Sequence, residues 1–502
     1  MFKTMIIKPR LARSAAFLLA FAVSACVVRP EPLTEQERQE RAQFLQEESA
    51  KLWTTNKSSF DLYDLMSRAL LRNLEIQQGQ LAAEVEKITL EEILAEQFPQ
   101  ASVRAQYSQR SNDAGDVNDV TPPDRDILTA DITYSWSILG FGQSYLRARQ
   151  QANNALIIEE ERGRIANRIV TDTTVLYLRA ATADRHLPEI NKILSQIDAK
   201  IQEADQFGAR NLIDPLQILL FKTRLTELKV NLNSYKAELR SDLIRLSSLA
   251  ATRPENLRFR HLTPSTNLSV RLPGTTDNLE QEALLNRSEL RQAAYRQRNS
   301  RLDVYRDVAA LLPDLEFALS GNFNSESTLD NNQFGLFSQT VTYDLLGLLR
   351  LPSTRKRLKL QEELRRIEDL ALAVSIIEQV RLSYAQALIS QQALALEKER
   401  ADLWKQVSDT QTQRSNFDVL EDLNQFEYVI RTLESQIAYE QARTQHYADY
   451  LLILRSTGVN FIPSNQTFGS EDALAAALKE HWDRVVRNGG RAGNPARVSP
   501  DT

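Results

Sequence analysis

Glycine is scarce in this sequence: 15 of the 502 residues, or 3.0%, are glycine, whereas a typical protein has about 7%. Phosphate-binding loops and tight turns depend on glycine, because only glycine adopts their backbone conformations without strain. There is also no Gly-x-Ser-x-Gly segment of the kind that carries a hydrolase nucleophile. The composition therefore disfavours a nucleotide-binding enzyme and an ordinary β-sandwich, and no catalytic residue is predicted.

Cysteine and histidine are nearly absent as well. The single cysteine, Cys26, excludes a disulfide within the chain and a cysteine-rich zinc site. The four histidines are far apart, and none has a second histidine three or four residues away. Because a metal site needs clustered ligands, the sequence predicts neither a metal site nor a cofactor.

Two further absences concern charge and hydrophobic runs. The formal net charge is −5, and nucleic-acid binding requires a basic surface, so no nucleic-acid partner is expected. After residue 26 no segment offers 18 uncharged apolar residues, so no transmembrane helix is expected there. The content of 25% charged and 42% hydrophobic residues instead suits long amphipathic helices.

The N-terminus has the features of a secretory signal. A basic start is followed by an apolar run at 15–25, which is too short to span a bilayer. The run ends in Val-Ser-Ala-Cys at 23–26, which resembles the lipobox of bacterial lipoproteins. That resemblance implies a palmitate-bearing lipid anchor on Cys26, and Val27 in place of Asp implies sorting to the outer membrane. The alternative is an ordinary signal peptide with a cysteine near its cleavage site.

The remainder of the chain repeats itself. Asn-Leu-Glu-Ile at 73–76 returns as Arg-Ser-Glu-Leu at 287–290, and Phe-Pro at 98–99 returns at the same interval as Leu-Pro at 312–313. Ser-Trp-Ser-Ile-Leu-Gly at 135–140 returns as Thr-Tyr-Asp-Leu-Leu-Gly at 342–347. Arg-Asn-Leu-Ile-Asp at 210–214 returns as Arg-Ser-Asn-Phe-Asp at 414–418. Landmarks that keep their order in this way indicate a tandem duplication.

Each copy has the same predicted elements. A helix at 69–97, repeated at 284–311, ends at a proline. Two stretches with alternating apolar and polar residues follow it, at 101–108 and 128–138, and again at 315–323 and 337–345. Alternation with a period of two predicts strands with one apolar and one polar face.

Long helices are predicted after each pair of strands. Residues 353–457 contain neither glycine nor proline. Apolar residues recur there with a 3-4 spacing at 423–437, and they do so in the first copy at 225–239. Such seams predict lateral packing of helices against one another.

The strands set a requirement for assembly. Four strands of about ten residues have the length of outer-membrane barrel strands. Four strands cannot close a barrel, and each orphaned backbone group in lipid costs several kcal/mol. A homo-oligomer that pools its strands is therefore expected, and three chains would supply twelve.

The duplicated order of helix, proline, strand pair and long helices resembles the TolC-like outer-membrane efflux family over residues 52–461. The resemblance implies a mainly α fold with membrane β-strands, in which long helical hairpins form an α-barrel and each chain gives four strands to a trimeric 12-stranded β-barrel. It also implies a channel of a tripartite efflux or type I secretion system, located in the outer membrane with a large periplasmic portion. The implied partners are a periplasmic membrane-fusion adaptor, an inner-membrane pump and outer-membrane lipid.

The family has a gate of acidic residues at the periplasmic helix tips, tied by hydrogen bonds and ion pairs. Its Asp-Val-Leu-Asp stretch corresponds to Asp418, Val419, Leu420 and Glu421 here, with Arg414 four residues earlier. In the first copy the equivalent positions are Arg210 and Asp214. The resemblance thus implies gate residues, and the alternative is that the aspartates cap the returning helices. The gate candidates are Asp214, Arg414, Asp418 and Glu421.

The adaptor is expected to bind the same tips. Contact candidates there are Arg210, Asn211, Ser415 and Asn416, and the alternative for these residues is an ordinary solvated loop.

These interpretations divide the chain into six segments. They are a lipoprotein signal peptide (1–25), a lipidated, extended or frayed lead-in (26–52), a first repeat (53–252), an inter-repeat joint (253–277), a second repeat (278–461) and a tail (462–502) with one helix at 471–485 and a disordered end. Two other functions remain open: a lipid-anchored periplasmic adaptor and a structural coiled-coil lipoprotein.

Overall fold

A computed structural model gives the fold over residues 32–53, 57–112, 124–210, 214–260, 270, 272–413, 419–463 and 470–487. The signal peptide and Cys26 lie outside these described residues. Backbone contacts divide the chain into two units, Met1–Thr55 and Asn56–Thr502.

The described part of the first unit, residues 32–53, contains one helix, α1 (Glu35–Leu52). Thr34 and Glu37 form a capping box at its start, in which the Thr34 side chain accepts from the Glu37 backbone and the Glu37 side chain accepts from Thr34. The expectation of an extended or frayed lead-in is therefore wrong for this part of 26–52. The helix is explained by the two reciprocal hydrogen bonds of the capping box. It is also rich in Glu, Gln and Arg, which are good helix formers.

The second unit begins with the first repeat. Its elements are α2 (Leu62–Arg72), α3 (Leu74–Ala95), β1 (Gln100–Gln109), β2 (Asp126–Ser137), α4 (Ile138–Ala209) and α5 (Pro215–Leu249). The helix predicted at 69–97 is divided at Asn73, which ends α2 and caps α3 by accepting from the Glu75 amide at 2.9 Å.

The second repeat has the same order. Its elements are α6 (Thr276–Asn286), α7 (Ser288–Ala309), β3 (Asp314–Asn324), β4 (Gln333–Thr342), α8 (Leu351–Gln413) and α9 (Val419–Ser456), with a short 3₁₀ helix (Leu345–Arg350) before α8. Its first predicted helix is divided at Arg287, the residue that the sequence repeat matches to Asn73. The break is thus duplicated together with the helices.

The four strands form one antiparallel sheet in the order β1-β2-β3-β4. Gln100 pairs with Ser135 in the first hairpin, and Asp314 pairs with Thr342 in the second. The sequence repeat matches Asp314 to Gln100 and Thr342 to Ser135, so both hairpins have one register. The tandem duplication predicted from the sequence is confirmed.

The long helices leave the sheet through equivalent caps. Ser137 accepts from the Gly140 amide at 2.7 Å at the start of α4, and Asp344 accepts from the Gly347 amide at 3.0 Å before α8. The helix α4 has 72 residues and α8 has 63. At 1.5 Å per residue, α4 is roughly 110 Å long and α8 roughly 95 Å.

Both predicted helix seams are buried in one hydrophobic cluster. Leu225, Leu232 and Leu239 of α5 lie in it together with Ile430 and Ile437 of α9. The 3-4 spacing therefore predicted lateral helix packing correctly. No helix in the described part of the chain is both long and apolar enough to cross a membrane.

The last described helix belongs to a second hydrophobic cluster, which lies at the start of the second unit. The helix predicted at 471–485 is α10 (Glu471–Arg487), and it packs against α2. Trp482 stacks on Phe461 with ring centroids 5.3 Å apart, and the Tyr450 hydroxyl donates to the Val486 carbonyl at 2.8 Å. Part of the tail is thus buried core.

Candidate functional site

One face of the sheet is apolar across all four strands. Ala101 pairs with Tyr134, Tyr134 with Leu319 and Leu319 with Phe337, so these side chains form one row. The exposed fractions are large along this face, with 61% for Phe337 and 68% for Val341. Exposed apolar patches of this extent mark a surface that contacts lipid or another protein.

The opposite face is mainly polar. Ser102, Thr133 and Ser320 form one of its rows, and Arg104, Asp131 and Asn322 form another. Two apolar residues interrupt this face on the edge strand β4, Phe334 and Leu336, and both are about half exposed. The strand β4 begins at Gln333, before the predicted stretch 337–345, and it ends at Thr342. Tyr343 and Leu345 are therefore not part of it.

The two outer strands have free edges. Among the described residues, β1 and β4 each have a strand neighbour on one side only. Such edges present unpaired N–H and C=O groups that can pair with another strand.

The described ends of the strand loops are tied together. The Asp124 amide donates to the Glu326 carboxylate at 2.7 Å, and the Ser327 amide donates to the Asp124 carboxylate at 2.7 Å. The Ser325 hydroxyl accepts from the Leu128 amide at 2.8 Å. These bonds link the β1–β2 loop to the β3–β4 loop at the end of the sheet opposite the helices.

At the other end of the long helices, the structure describes the tip of the α4–α5 hairpin in part. Arg210 follows the last residue of α4 and is exposed, and Asp214 begins α5 as its N-cap. The Asp214 carboxylate accepts from the Leu216 amide at 3.4 Å, with Pro215 in the first helical position. The capping role considered for Asp214 is therefore present.

The other tip candidates lie mostly outside the described residues. This applies to Arg414 and Asp418 of the gate set, and to Asn211, Ser415 and Asn416 of the adaptor set. Glu421 lies in the first turn of α9. Arg210 and Asp214 are consequently the candidates that the structure brings to one tip.

A buried aspartate that faces an arginine in the helical region was missed from the sequence. Asp242 of α5 is 3% exposed and lies 4.0 Å from Arg179 of α4, beside a crevice of about 240 Å³ between α4, α5 and α9. Burial raises the pKa of the Asp242 carboxyl, and the charge of Arg179 opposes this shift. The sequence pattern could have located this aspartate, because Asp242 lies three residues after Leu239 and four before Leu246. It therefore continues the 3-4 spacing of the predicted α5 seam.

A buried arginine was missed as well. Arg68 of α2 is 1% exposed, and its Nε and Nη2 donate to the carbonyls of Ala250 and Ala251 at 2.9 and 3.0 Å. Its Nη1 lies 3.4 Å from the Glu471 carboxylate. The side chain thus joins α2, the end of α5 and α10.

No protein-family model and no curated protein sequence matches the chain. Solved structures do match it. The CmeC outer membrane channel of Campylobacter jejuni is 12% identical with a TM-score of 0.66, over 84% of this chain and 89% of CmeC. The outer membrane protein VceC of Vibrio cholerae is 14% identical with a TM-score of 0.61, over 79% of this chain and 96% of VceC.

The outer-membrane channel OprN is 18% identical to the chain with a TM-score of 0.62, over 79% of this chain and 89% of OprN. These similarities extend over most of both chains. The chain therefore has the fold of the TolC-like outer-membrane efflux channels.

Proposed function

We propose that the chain is the outer-membrane channel of a tripartite efflux or type I secretion system. One observation carries this proposal: an open antiparallel sheet with an exposed apolar face is continued by helices of 72 and 63 residues. A sheet of this kind suits the bilayer. Helices roughly 95–110 Å long suit a duct that reaches from the membrane far into the periplasm.

The free edges of the sheet support a homotrimer. The strands have 10 to 12 residues, which is the length that spans a bilayer when tilted. Unpaired edges in lipid cost several kcal/mol per backbone group, so a membrane-embedded sheet must close on itself. Three chains with four strands each give twelve strands, an even number within the range of such barrels.

The proposed partners act at the periplasmic end. An adaptor binds the helix tips through Arg210, Asn211, Ser415 and Asn416, and an inner-membrane pump supplies the energy and selects the cargo. The channel itself performs no chemistry. At the membrane end, a lipid on Cys26 anchors the mature chain in the outer membrane, where the protein is located.

The proposed gate lies at the same tips as the adaptor site. Symmetry brings copies of Asp214, Asp418 and Glu421 into rings, and Arg414 ties them in the closed state. Rings of carboxylates favour cations. Breaking the arginine ties lets the tips separate.

Planar-bilayer recordings of the purified full-length protein test the function. We expect cation-preferring channels from oligomers that survive heating in mild detergent. A lipid-anchored adaptor or a coiled-coil lipoprotein would insert no channel, so a membrane-associated protein without conductance would refute the proposal. Adding an Arg414→Ala variant tests the gate separately, since its current rises only when Arg414 holds the tips closed.

A further inference from the structure

At one of the contacts between the two repeats, polar side chains meet. The helix α4 of the first repeat packs on α7 of the second. The Asn153 amide donates to the Asn299 side chain at 2.8 Å, and Gln150 donates to Asp303 at 2.7 Å. Farther along, Arg291 donates to Glu160 at 2.7 Å.

The duplication assigns each of these residues a counterpart. In the shared hairpin register, Asp314 corresponds to Gln100, and the same difference in residue number relates α7 to α3. Thr342 likewise corresponds to Ser135, and that difference in residue number relates α8 to α4. The counterpart of the α4–α7 contact is therefore a contact between α8 and α3. Within one chain α3 packs on α4, α4 on α7 and α7 on α8. This order puts α3 and α8 at opposite ends of the row.

On α3, the counterparts of buried residues are exposed. Gln292 and Leu302 of α7 are 6% and 7% exposed. Gln78, the counterpart of Gln292, is exposed, and Ile88, the counterpart of Leu302, is 52% exposed. Val85 corresponds to Asn299 and is 60% exposed. The face of α3 that corresponds to the buried face of α7 has no comparable cover among the described residues.

The matching face of α8 is exposed and apolar. Asn153, Ile157 and Glu160 of α4 correspond to Leu360, Leu364 and Ile367, which are 57%, 54% and 55% exposed. Leu360 and Ile367 thus replace two polar residues of the contact within the chain, and Leu364 replaces an isoleucine. An apolar stripe with this 3-4 spacing is what a helix partner buries.

From these equivalences we propose that α8 of one copy packs on α3 of a second copy of this chain, with Leu360 against Val85. The contact repeats the geometry of α4 on α7. It rests on the proposed oligomeric channel and names the surfaces that join its subunits. Within the chain the contact can be polar because the polypeptide already holds both repeats together, whereas between chains burial of apolar area drives association.

The charged residues of α3 and α8 also favour contact between these two helices. The helix α3 carries five glutamates and one lysine. The first ten residues of α8 contain four basic residues and no acidic residue. Opposite charges on the two helices steer the copies together and disfavour contacts between like helices. The contact joins different surfaces of the two copies, which is the kind of interface that closes a ring.

The strands agree with this arrangement. Tyr134 of β2 pairs with Leu319 of β3, and the same equivalences place Val341 of β4 opposite Ala105 of the next copy's β1. Both residues lie on the apolar face of the sheet. A register displaced by one residue would turn that face over, so the equivalences extend the apolar face from one copy to the next.

Disulfide crosslinking in the full-length protein tests the contact. In the double variant Val85→Cys and Leu360→Cys, we expect oxidation to join the copies into covalent oligomers that reduction separates. The control pair is Leu74→Cys with Leu360→Cys, because Leu74 lies eleven residues from Val85, about 16 Å along α3. A disulfide requires Cα atoms within about 7 Å. Cys26 is common to both variants and to the unaltered chain.

The outcomes separate this inference from the proposed function. Oligomers that conduct but crosslink at neither pair, or at the control pair alone, would overturn the α8–α3 contact and leave the channel standing. A chain that neither associates nor conducts would overturn both.

A second variant tests the chemistry of the contact. Val85→Asn with Leu360→Asn copies the Asn153–Asn299 pair into the interface between chains. We expect association in detergent to weaken at least about tenfold, since two buried apolar side chains are lost. The matched control is Leu285→Asn, which changes a leucine that is 78% exposed on α6. Equal association of the two variants would count against an apolar contact at Leu360.

Discussion

Gly458 lies directly against the backbone of Asn286. A Cβ atom built on Gly458 would be 2.8 Å from the Asn286 carbonyl oxygen and 2.9 Å from the Arg287 amide nitrogen. The backbone of Gly458 also has a φ of +79°, which favours glycine. This close approach joins the end of α9 to the break between α6 and α7.

Gly458→Ala is expected to destabilise the protein by more than about 2 kcal/mol. A left-handed backbone alone costs a residue with a Cβ roughly 1–2 kcal/mol, and the contact with Asn286 adds to that cost. Chemical denaturation followed by circular dichroism measures the loss. Gly274→Ala is the control, because Gly274 has a φ of +55° but no atom of the described residues lies within 4 Å of its Cβ position. Equal losses in both variants would mean that the contact with Asn286 has no effect.

The Arg68 guanidinium is expected to be a major contributor to stability. Arg68→Leu leaves two buried carbonyls, those of Ala250 and Ala251, without their donors. Unsatisfied buried groups cost about 1–3 kcal/mol each, so we expect a loss of about 2–6 kcal/mol in the free energy of unfolding.

The control for Arg68 is its neighbour Arg72. Arg72 also binds Glu471, at 2.7 Å, but it is 34% exposed. Exposed ion pairs contribute about 1 kcal/mol or less, so Arg72→Leu should cost less than Arg68→Leu. A similar loss for the two variants would show that the Ala250 and Ala251 carbonyls are not the important partners.

The elements of this fold were predictable where local periodicity carries the information. Alternation located β1 to β4, and a 3-4 spacing located the buried seam that includes Leu225 and Ile430. The break at Asn73 was not predicted, because one capping residue ends one helix and begins the next without disturbing the apolar pattern. The packing of α10 was not predicted either, since Arg68 and Glu471 are 403 residues apart.

The apolar face of the sheet was also predictable, because a strand puts every second residue on one side. The subunit contact was not, although Leu360 and Val85 are plainly apolar in the sequence. The sequence repeat already relates residues of one repeat to those of the other, and the observed register agrees with it at the strands. The exposed fractions of the side chains then distinguish an apolar seam that is buried within the chain from one that is exposed. Periodicity alone does not make this distinction.

The buried carboxyl group of Asp242 should make the stability of the protein depend on pH. Burial raises the pKa of this carboxyl in the folded state, so the folded protein binds its proton more tightly than the unfolded chain does. The resulting stabilisation is complete below the unfolded pKa of about 3.9 and is lost as the pH rises through the folded pKa. Asp242→Asn should therefore raise the melting temperature more at pH 7 than at pH 3.5.

Thermal unfolding in detergent at the two pH values checks the behaviour of Asp242→Asn. Glu227→Gln is the control, because it removes an exposed carboxylate from the same helix and should shift the melting temperature little at either pH. A gain for Asp242→Asn that is equal at both pH values would contradict the role of burial. A loss at pH 7 would indicate that the attraction to Arg179 outweighs burial.

Asp214 allows capping and gating to be separated by two substitutions. Asparagine caps a helix about as well as aspartate, whereas alanine does not, at a cost of about 0.5–2 kcal/mol. Asp214→Asn should therefore keep the start of α5 intact while it removes a charge from the proposed ring, and Asp214→Ala should lose both. We expect weaker cation preference in planar bilayers for both variants, because a ring of carboxylates attracts cations. Unaltered ion preference in Asp214→Asn, with a change in Asp214→Ala alone, would limit the role of Asp214 to capping α5.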